Sequence, residues 1–558
     1  MIIDYRNETV PTDVKADLCI IGAGAAGLAI ARTFLGTPIS VCVIESGGFS
    51  GEERNQVLYE GSSIGFPDFD PGTSRMRVFG GSCNLWGGGC IPIGKLEARE
   101  WVPDSHWPIS YEDLEPYYRH ARDFCHIPPH DFIEDSFLTP PGVAPLQFDA
   151  HKVVNKTFAH SPVMFGDTYR ADLEQSPNIT ILLYANLLEL DSSTGGTAVH
   201  QARIGTLEGR TGTVHAKQYV LACGGIENAR LLLISDSTTP NGLGNQYDLV
   251  GRYFMDHPSG KLGTLYTPEA DRIARPYDRD LHKTPTSVHP EICLSDEAQR
   301  AYRMLNGRVR LFAVEGPVPK GIQALREFKS ALRARKLDEN ALLSAKLSLR
   351  KNGEPVNGGR PPAPDQSLAR LTLRVVLGAG DIAKAAVRKL NKKSTVKTDH
   401  IDLIGYFEQA PHPDSRITLA QETDRLGQRK VCIDWRLLPI DRHTYRTAAL
   451  LFGTELARAS NGRFQPEPWL EDEQSVPQVY GTSHHLGTTR MANDPQQGVV
   501  DRECRVHGVE NLYVAGSSVF PTGGWAFPTF TIIALSLRLA EHLRSRLEIV
   551  SMVTPFIV

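Results

Sequence analysis

The chain has 558 residues, which is too many for one ordinary hydrophobic core and predicts two domains. Hydrophobic residues (41%) and charged residues (22%) are in the proportions of a globular protein, and a formal net charge of −4 gives no reason to expect nucleic acid. Nine cysteines without a CxxC pair predict no metal site. An acidic N-terminus without a signal peptide, and the lack of a long apolar run, predict a cytoplasmic protein with no transmembrane segment.

The first elements in chain order form a βαβ unit. Residues 16–21 predict a buried strand, 22–27 a tight turn, 28–35 a helix and 39–44 a second strand that ends at Glu45. The turn reads G-x-G-x-x-G, with glycines at 22, 24 and 27. Such glycines let the backbone approach a pyrophosphate at a helix N-terminus, and an acid after the next strand can accept hydrogen bonds from a ribose diol. The unit therefore predicts dinucleotide binding, without separating FAD from NAD.

Further elements follow a glycine-rich stretch at 80–89. A helix is predicted at 111–125, strands at 179–190 and 219–222, and a helix at 227–234. The tract 320–398 is basic, with 18 Lys or Arg against 6 Asp or Glu. Helices are predicted there over 321–335, 338–350 and 367–392. Strands at 402–437 with a turn at 424–427, a strand at 511–515 and a helix at 529–547 complete the pattern.

Three segments resemble the glucose–methanol–choline (GMC) oxidoreductases. They are GGSCNLWGGG at 80–89, ACGGIENAR at 222–230 and SHHLGTTRM at 483–491, and residues 498–501 and 511–522 continue the likeness in order. The resemblance implies an α/β fold. A Rossmann-like FAD-binding domain would be assembled from separated segments (1–95, 195–260 and 475–558). An inserted α+β substrate-binding domain would comprise 96–194 and 261–474, including the basic region 320–398.

The resemblance also implies that FAD is the cofactor. The residues expected at the cofactor are Gly22, Gly24, Ala25, Ala26, Gly27, Glu45, Ser46, Gly80, Gly81, Ser82, Asn84, Leu85, Ala222, Gly516, Ser517, Phe527, Pro528 and Thr529. Some family members link the flavin covalently through a histidine in the glycine-rich loop, and the loop 80–89 contains none. Cys83 in that loop is interpreted as a small buried apolar residue. FAD is therefore expected to be bound non-covalently.

His484 lies three residues before Gly487, where the family has its catalytic histidine, and is expected to be the general base. The family's second His or Asn, in the final loop, corresponds here to Phe527, which cannot hydrogen-bond a substrate oxygen. Trp525 or a side chain of the middle domain could supply that polarity, or His484 could act alone. His485, Trp525 and Phe527 are expected to line the substrate pocket.

The implied reaction is oxidation of a hydroxyl group to a carbonyl on a sugar-like or polyol substrate, by hydride transfer to flavin N5. Oxygen, a quinone or a carrier protein are open alternatives for the electron acceptor. A non-redox lyase on the same scaffold and a non-catalytic flavoprotein are the alternative functions. The basic region is either a solvated surface or a site for an anionic substrate, an electron carrier or a membrane surface.

Overall fold

The structure is a computed structural model that describes residues 1–66, 69–94, 96, 99–128, 144–277, 288–334, 368–390, 394–472 and 474–553. The described strands form three sheets. The helices are α1 (Ala25–Thr33), α2 (Glu53–Gln56), α3 (Tyr111–Phe124), α4 (Phe165–Gln175), α5 (Gly224–Ile234), α6 (Ala270–Ala274), α7 (Asp296–Tyr302), α8 (Lys320–Ala334), α9 (Leu368–Leu377), α10 (Ala379–Leu390), α11 (Pro439–Ser460), α12 (Pro468–Glu471) and α13 (Pro528–Val553). The predicted helix at 338–350 lies outside the described residues.

The first sheet carries the predicted βαβ unit. Its strands are β1 (Ile2–Asp4), β2 (Asp13–Ile21), β3 (Val41–Glu45), β7 (Ile179–Leu183), β8 (Asn186–Ser192), β9 (Val199–Gly205), β10 (Thr211–Leu221) and β18 (Leu512–Val514). They lie in the order β1-β7-β3-β2-β10-β9-β8, with β18 beside β10. In the parallel part of the sheet, Ile21 lies beside both Ile44 and Leu221, and Leu221 lies beside Val514. The strands therefore end together, and the motifs that follow them meet at one edge.

The second sheet is antiparallel and lies in the middle of the sequence. Its strands are β5 (Gly89–Cys90), β6 (Val153–His160), β11 (Ser259–Tyr266), β12 (Val288–Leu294), β13 (Gly307–Glu315), β14 (Thr398–Phe407) and β17 (Arg463–Pro466), in the order β17-β11-β14-β13-β12-β6-β5. One face packs on α11 through a buried cluster that includes Leu403, Phe407 and Tyr445. The alternate residues of these strands, among them Arg308 and Tyr406, face the other way.

A third, small sheet contains β4 (Gly61–Ser63), β15 (Arg416–Thr423) and β16 (Arg429–Asp434), in the order β15-β16-β4. It holds the predicted strands and turn near 424–427, where Gly427 N–H donates to the Asp424 carbonyl oxygen (3.0 Å). Helix α5 packs against β15 and also against β8. The third sheet therefore contacts the first sheet's helical layer, although its sequence belongs mostly to the expected substrate-binding segment.

The α/β fold class is confirmed, but the expected domain boundaries need one correction. Strands β7 and β8 pair within the first sheet, although the sequence-based division placed 96–194 in the substrate-binding domain. Helices α3 and α4 of the same segment pack on α13 and α1, respectively. The error has a physical reason: a buried strand of either domain has the same apolar pattern, so pairing depends on distant residues.

Two of the helices predicted in the basic tract are described and are helical, but the one predicted at 367–392 is two helices rather than one. The helix is interrupted at Gly378, which lies between α9 and α10. A Cβ on Gly378 would lie 2.2 Å from the Cα of Gly321 in α8, so the helices approach closely there. Across the described part of the chain, no helix combines the length and apolarity that crossing a membrane would require.

Candidate active site

A cavity of about 420 Å³ lies at the carboxyl edge of the first sheet. It extends from the turn after β2 to the imidazole of His484, and the second sheet contributes Arg308, Arg310 and Tyr406 to its wall. The volume is within the range of small-molecule and cofactor sites. The expected cofactor residues in its wall are Gly22, Gly24, Ala25, Ala26, Glu45, Ser46, Gly81, Ser82, Leu85, Ala222, Gly516, Ser517, Phe527, Pro528 and Thr529.

Glycine is required at the three positions of the first turn for three different reasons. Gly22 has φ +104°, and a Cβ there would lie 2.6 Å from the Ala222 carbonyl oxygen. A Cβ on Gly27 would lie 1.9 Å from the Gly22 carbonyl oxygen, so Gly27 lets the helix approach the strand without lining the cavity. A Cβ on Gly24 would meet no described protein atom nearer than 4.0 Å. Protein packing gives no reason for glycine at 24, whereas a phosphate lying against the N-terminus of α1 does.

The Glu45 carboxylate lies beside this turn and is almost fully buried. Its oxygens accept hydrogen bonds from the backbone N–H groups of Ala23 (2.9 Å) and Gly47 (2.8 Å). Burial raises the pKa of Glu45, and these two N–H groups oppose that shift. Ser46 Oγ also donates to Glu45 Oε1 (3.4 Å). A carboxylate has about four acceptor positions, so one remains on the other oxygen for a ribose hydroxyl.

The glycine-rich loop forms a 3₁₀ helix over Gly81–Leu85 against the opposite wall of the cavity. Gly80 and Asn84 shape the loop from outside that wall: Asn84 Nδ2 donates to the Phe79 carbonyl oxygen (3.1 Å), and a Cβ on Gly80 would lie 2.6 Å from Asn84 Oδ1. Cys83 faces the cavity, and burial raises the pKa of its thiol to about 12. The thiol is therefore protonated and a poor nucleophile near pH 7.

The side chain of Asn228 in α5 gives a structural reason for a polar residue in the segment 222–230. Its amide oxygen accepts from Cys223 N–H (2.8 Å), and its amide nitrogen donates to the Ala515 carbonyl oxygen (3.0 Å) and to Ser518 Oγ (2.9 Å). This fully buried side chain joins the end of β10 to the segment after β18. Gly516 and Ser517 are thereby placed in the cavity wall.

The end of the cavity that is formed by the first turn, Glu45, the glycine-rich loop and the segment after β18 fits FAD. The free space at Gly24 lies at the N-terminus of α1, and α13, the longest described helix, begins at the cavity with Pro528 and Thr529. Two helix N-termini present unpaired N–H groups and positive dipole ends to an anion. Glu45 offers an acceptor for a ribose hydroxyl at the turn. The residues present therefore fit a dinucleotide with a pyrophosphate.

His484 lines the other end of the cavity and contacts a second histidine, His257. The two Nδ1 atoms are 2.9 Å apart, and Thr482 Oγ1 is 3.1 Å from His484 Nδ1. His257 Nε2 lies 2.9 Å from the Gly524 carbonyl oxygen, to which it can only donate. Burial lowers the pKa of His257, so its imidazole is neutral near pH 7 and its Nδ1 is an acceptor. His484 Nδ1 must then carry the proton, which leaves Nε2 as its basic nitrogen.

Asp256 fixes the backbone around both histidines. It is fully buried, and its oxygens accept from the N–H groups of His257 (2.7 Å), His484 (2.8 Å) and Ser483 (2.9 Å). Burial raises the pKa of Asp256, and these N–H groups oppose that shift. Ser483 has φ +64°, a left-handed conformation uncommon for serine, which the bond to Asp256 helps to maintain. The two histidines are therefore held by one buried carboxylate.

Of the three residues that were expected to line the substrate pocket, two line the cavity and one lies behind its wall. Phe527 lines the cavity, with its ring centroid 6.4 Å from that of His484. His485 lines the cavity as well, but its ring stacks on Phe254 (5.9 Å) and meets Phe69 edge-on (5.2 Å). Trp525 was expected in the pocket wall and is instead in a buried cluster behind Phe527, because its large ring fills an apolar space there. His485 and Trp525 thus have clear packing roles.

Sequence reasoning missed His257, which lies 227 residues from His484. Phe527 had suggested that His484 acts alone, or that Trp525 or a side chain of the middle domain supplies the missing polarity. The partner comes instead from the segment just before β11, within the expected FAD-binding segment 195–260. An adjacent acid and histidine in an irregular Gly/Pro-rich segment, at 256 and 257, was the signal that could have indicated it.

Comparison with known proteins agrees with this site. Residues 411–536 match the family described as GMC oxidoreductase. The chain is 24% identical to 6'''-hydroxyparomomycin C oxidase of Streptomyces lividus, over 95% of this chain and 92% of that protein. It is also 24% identical to the fructose dehydrogenase large subunit of Gluconobacter japonicus, over 60% of this chain and 48% of that protein. Formate oxidase has the same fold, with a TM-score of 0.55 at 15% identity over 96% of this chain and 99% of the other.

The fold and the site define an FAD-dependent oxidoreductase that acts on alcohol groups. Three observations support this class: the order of the motifs, the match of the C-terminal segment to the family model, and the similarity to relatives along the chain. The chain is therefore similar to the GMC oxidoreductases, whose family model its residues 411–536 match.

Proposed function

We propose that this enzyme oxidises a hydroxyl-bearing carbon of a sugar-like or polyol substrate to a carbonyl, with His484 as the general base. The observation that carries the proposal is the contact between His257 and His484, which leaves His484 Nε2 as a basic nitrogen at the cavity. The names of the relatives, an aminoglycoside-type oxidase and a fructose dehydrogenase, support a sugar-like substrate.

Bound FAD would supply a two-electron acceptor for the hydride that leaves the hydroxyl carbon. Residues of the protein accept the hydroxyl proton of the substrate. His484 Nε2 accepts the hydroxyl proton while the carbonyl forms, and His257 and Thr482 hold the opposite nitrogen in its protonated form. His257 is absent from the cavity wall, so it is a positioning residue that orients His484 from behind.

We further propose that FAD is held without a covalent bond. The loop 80–89 has no histidine, and burial keeps the Cys83 thiol protonated. The residues proposed to hold FAD are those in the cavity wall given above, with Gly27, Gly80 and Asn84 supporting them from outside. Oxygen, a quinone or a carrier protein are the alternatives for the electron acceptor, and a cytoplasmic location stays a prediction.

The test is anaerobic reduction of the bound flavin. Purified protein is mixed with a panel of sugars, glycosides and polyols, and loss of the visible flavin absorbance is followed. The proposal expects bleaching by at least one compound, with the matching carbonyl product. A lyase would convert a substrate without bleaching, and a non-catalytic flavoprotein would do neither.

A further inference from the structure

The second sheet turns a basic face toward the cavity. Arg308 and Arg310 are two residues apart in β13, so their side chains project from the same face, and both line the cavity. Tyr406 lies directly across from Arg308 in β14 and lines the cavity beside them. In the described part of the chain, both guanidinium groups share one carboxylate, that of Glu291 in β12.

The two arginines differ in how far Glu291 neutralises them. Arg308 Nη1 lies 3.0 Å from a Glu291 oxygen, and both side chains are only 4% exposed, which makes them a buried, neutralised pair. Arg310 Nε is 3.9 Å from the other oxygen, and its side chain is 26% exposed. Among the described residues, these two positive charges face one negative charge, a surplus of one, and Arg310 is the more loosely paired of the two arginines. A partly exposed guanidinium in a cavity wall is a suitable donor for an anionic ligand.

Arg308 connects this wall of the cavity to the side chains around the proposed base. The guanidinium carbon of Arg308 is 4.7 Å from the Phe527 ring centroid, and that ring is 6.4 Å from the imidazole of His484. The same carbon is 4.2 Å from the Tyr406 ring centroid. Arg308 is thus held between two aromatic rings and a carboxylate, as a rigid support beside the more loosely held Arg310.

We infer that the substrate carries a carboxylate in addition to the hydroxyl that is oxidised, and that Arg310 binds this carboxylate. The chemical class is a sugar acid or a related polyhydroxy acid. A single surplus charge matches a carboxylate better than the nearly double charge of a phosphate ester. The inference rests on the proposed function, which it refines by naming the substrate class.

The test compares ligands that share a ring and differ in charge. The probes are glucose, glucuronate and glucosamine, together with the corresponding galactose series. Their dissociation constants for the oxidised holoenzyme are measured by calorimetry, beside their rates of anaerobic flavin reduction. The uronate of at least one series should bind roughly 10- to 100-fold more tightly than its neutral partner, as expected for a charge-assisted hydrogen bond. Added salt should weaken this preference, because Arg310 is partly exposed to solvent.

Variants then identify the residue. Arg310→Ala should remove the preference for the uronate. Arg310→Lys should retain part of it, because lysine keeps the charge but loses the planar pair of donors. Arg463→Ala is the matched control, since Arg463 is an exposed arginine of edge strand β17 that does not line the cavity, and it should keep the preference.

The inference is wrong if no uronate binds more tightly than its neutral sugar, or if Arg310→Ala keeps the preference. Tighter binding of the matching sugar phosphates than of the uronates would overturn the carboxylate assignment. If uronates bind through Arg310 and no compound reduces the flavin, the proposed function fails while the anion site stands. If neutral sugars bind more tightly than uronates and reduce the flavin, the function stands and the inference fails.

Discussion

Replacing His484 or His257 tests the proton-transfer part of the mechanism. His484→Ala removes the proposed base and should slow flavin reduction by roughly 10²–10⁴-fold, the usual contribution of a positioned general base. At about 1.36 kcal/mol for each factor of ten, this is a loss of about 2.7–5.4 kcal/mol of transition-state stabilisation. FAD should stay bound, because the cofactor residues proposed above lie on other segments.

The effect of His257→Ala can be worked out from its contacts. His484 Nδ1 has two acceptors within reach, His257 Nδ1 at 2.9 Å and Thr482 Oγ1 at 3.1 Å. Removing one of them costs about 0.5–1.5 kcal/mol, the net value of one neutral hydrogen bond, which corresponds to roughly a 2- to 13-fold slower reduction. His257→Asn should recover part of the rate, since an amide oxygen can accept from His484 while the amide nitrogen donates to Gly524.

A double-mutant cycle separates positioning from a general structural effect. Because His257 acts through His484, His257→Ala should have no further effect on the rate in the His484→Ala background. The assay is stopped-flow flavin reduction by the best substrate of the panel. His507→Ala is the control, since His507 Nε2 donates to the Ala492 carbonyl oxygen (3.0 Å) away from the cavity.

Two results would refute this reasoning. If His484→Ala reduces its flavin within about threefold of the parent rate, where roughly 10²-fold is the minimum expected, the base lies elsewhere. If His257→Ala slows the reaction equally with and without His484, the histidine contact does not set the protonation of the base.

Three further predictions concern the cofactor and stability. Gly24→Val should fold but lose its visible flavin absorbance, because a side chain there has space from the protein and would obstruct the proposed cofactor, whereas Gly380→Ala, also in open space, should retain it. Acid precipitation should release the flavin into the supernatant, since Cys83 stays a thiol; flavin retained in the pellet would contradict this. Glu227→Gln should destabilise the protein by about 3–5 kcal/mol, measured as a lower thermal midpoint, because three buried arginines lose their shared carboxylate. Burial alone would raise the pKa of Glu227, but these arginines outweigh it and lower the pKa to about 2, so its contribution is present above pH 4.5 and is lost as the pH falls toward 2.

The sequence by itself determined the local parts of the site. The strand, turn and helix at 16–35 are defined by hydrophobic pattern and glycine, which act over a few residues. The segment that carries His484 is likewise a contiguous motif, and His484 lines the cavity. The strand, turn and helix are confirmed because backbone geometry at each is dictated by nearby residues, whereas the role of His484 as base stays a prediction.

Only the tertiary structure decided which distant side chains meet. Strands β7 and β8 joined the first sheet through pairing with β3 and β9, which their own apolar pattern does not specify. His257 met His484 because Asp256 binds both backbones, and Arg310 reached the cavity because the register of β13 sets which face it occupies. Each of these contacts joins segments far apart in the chain, and a one-residue change of register would turn Arg310 to the opposite face.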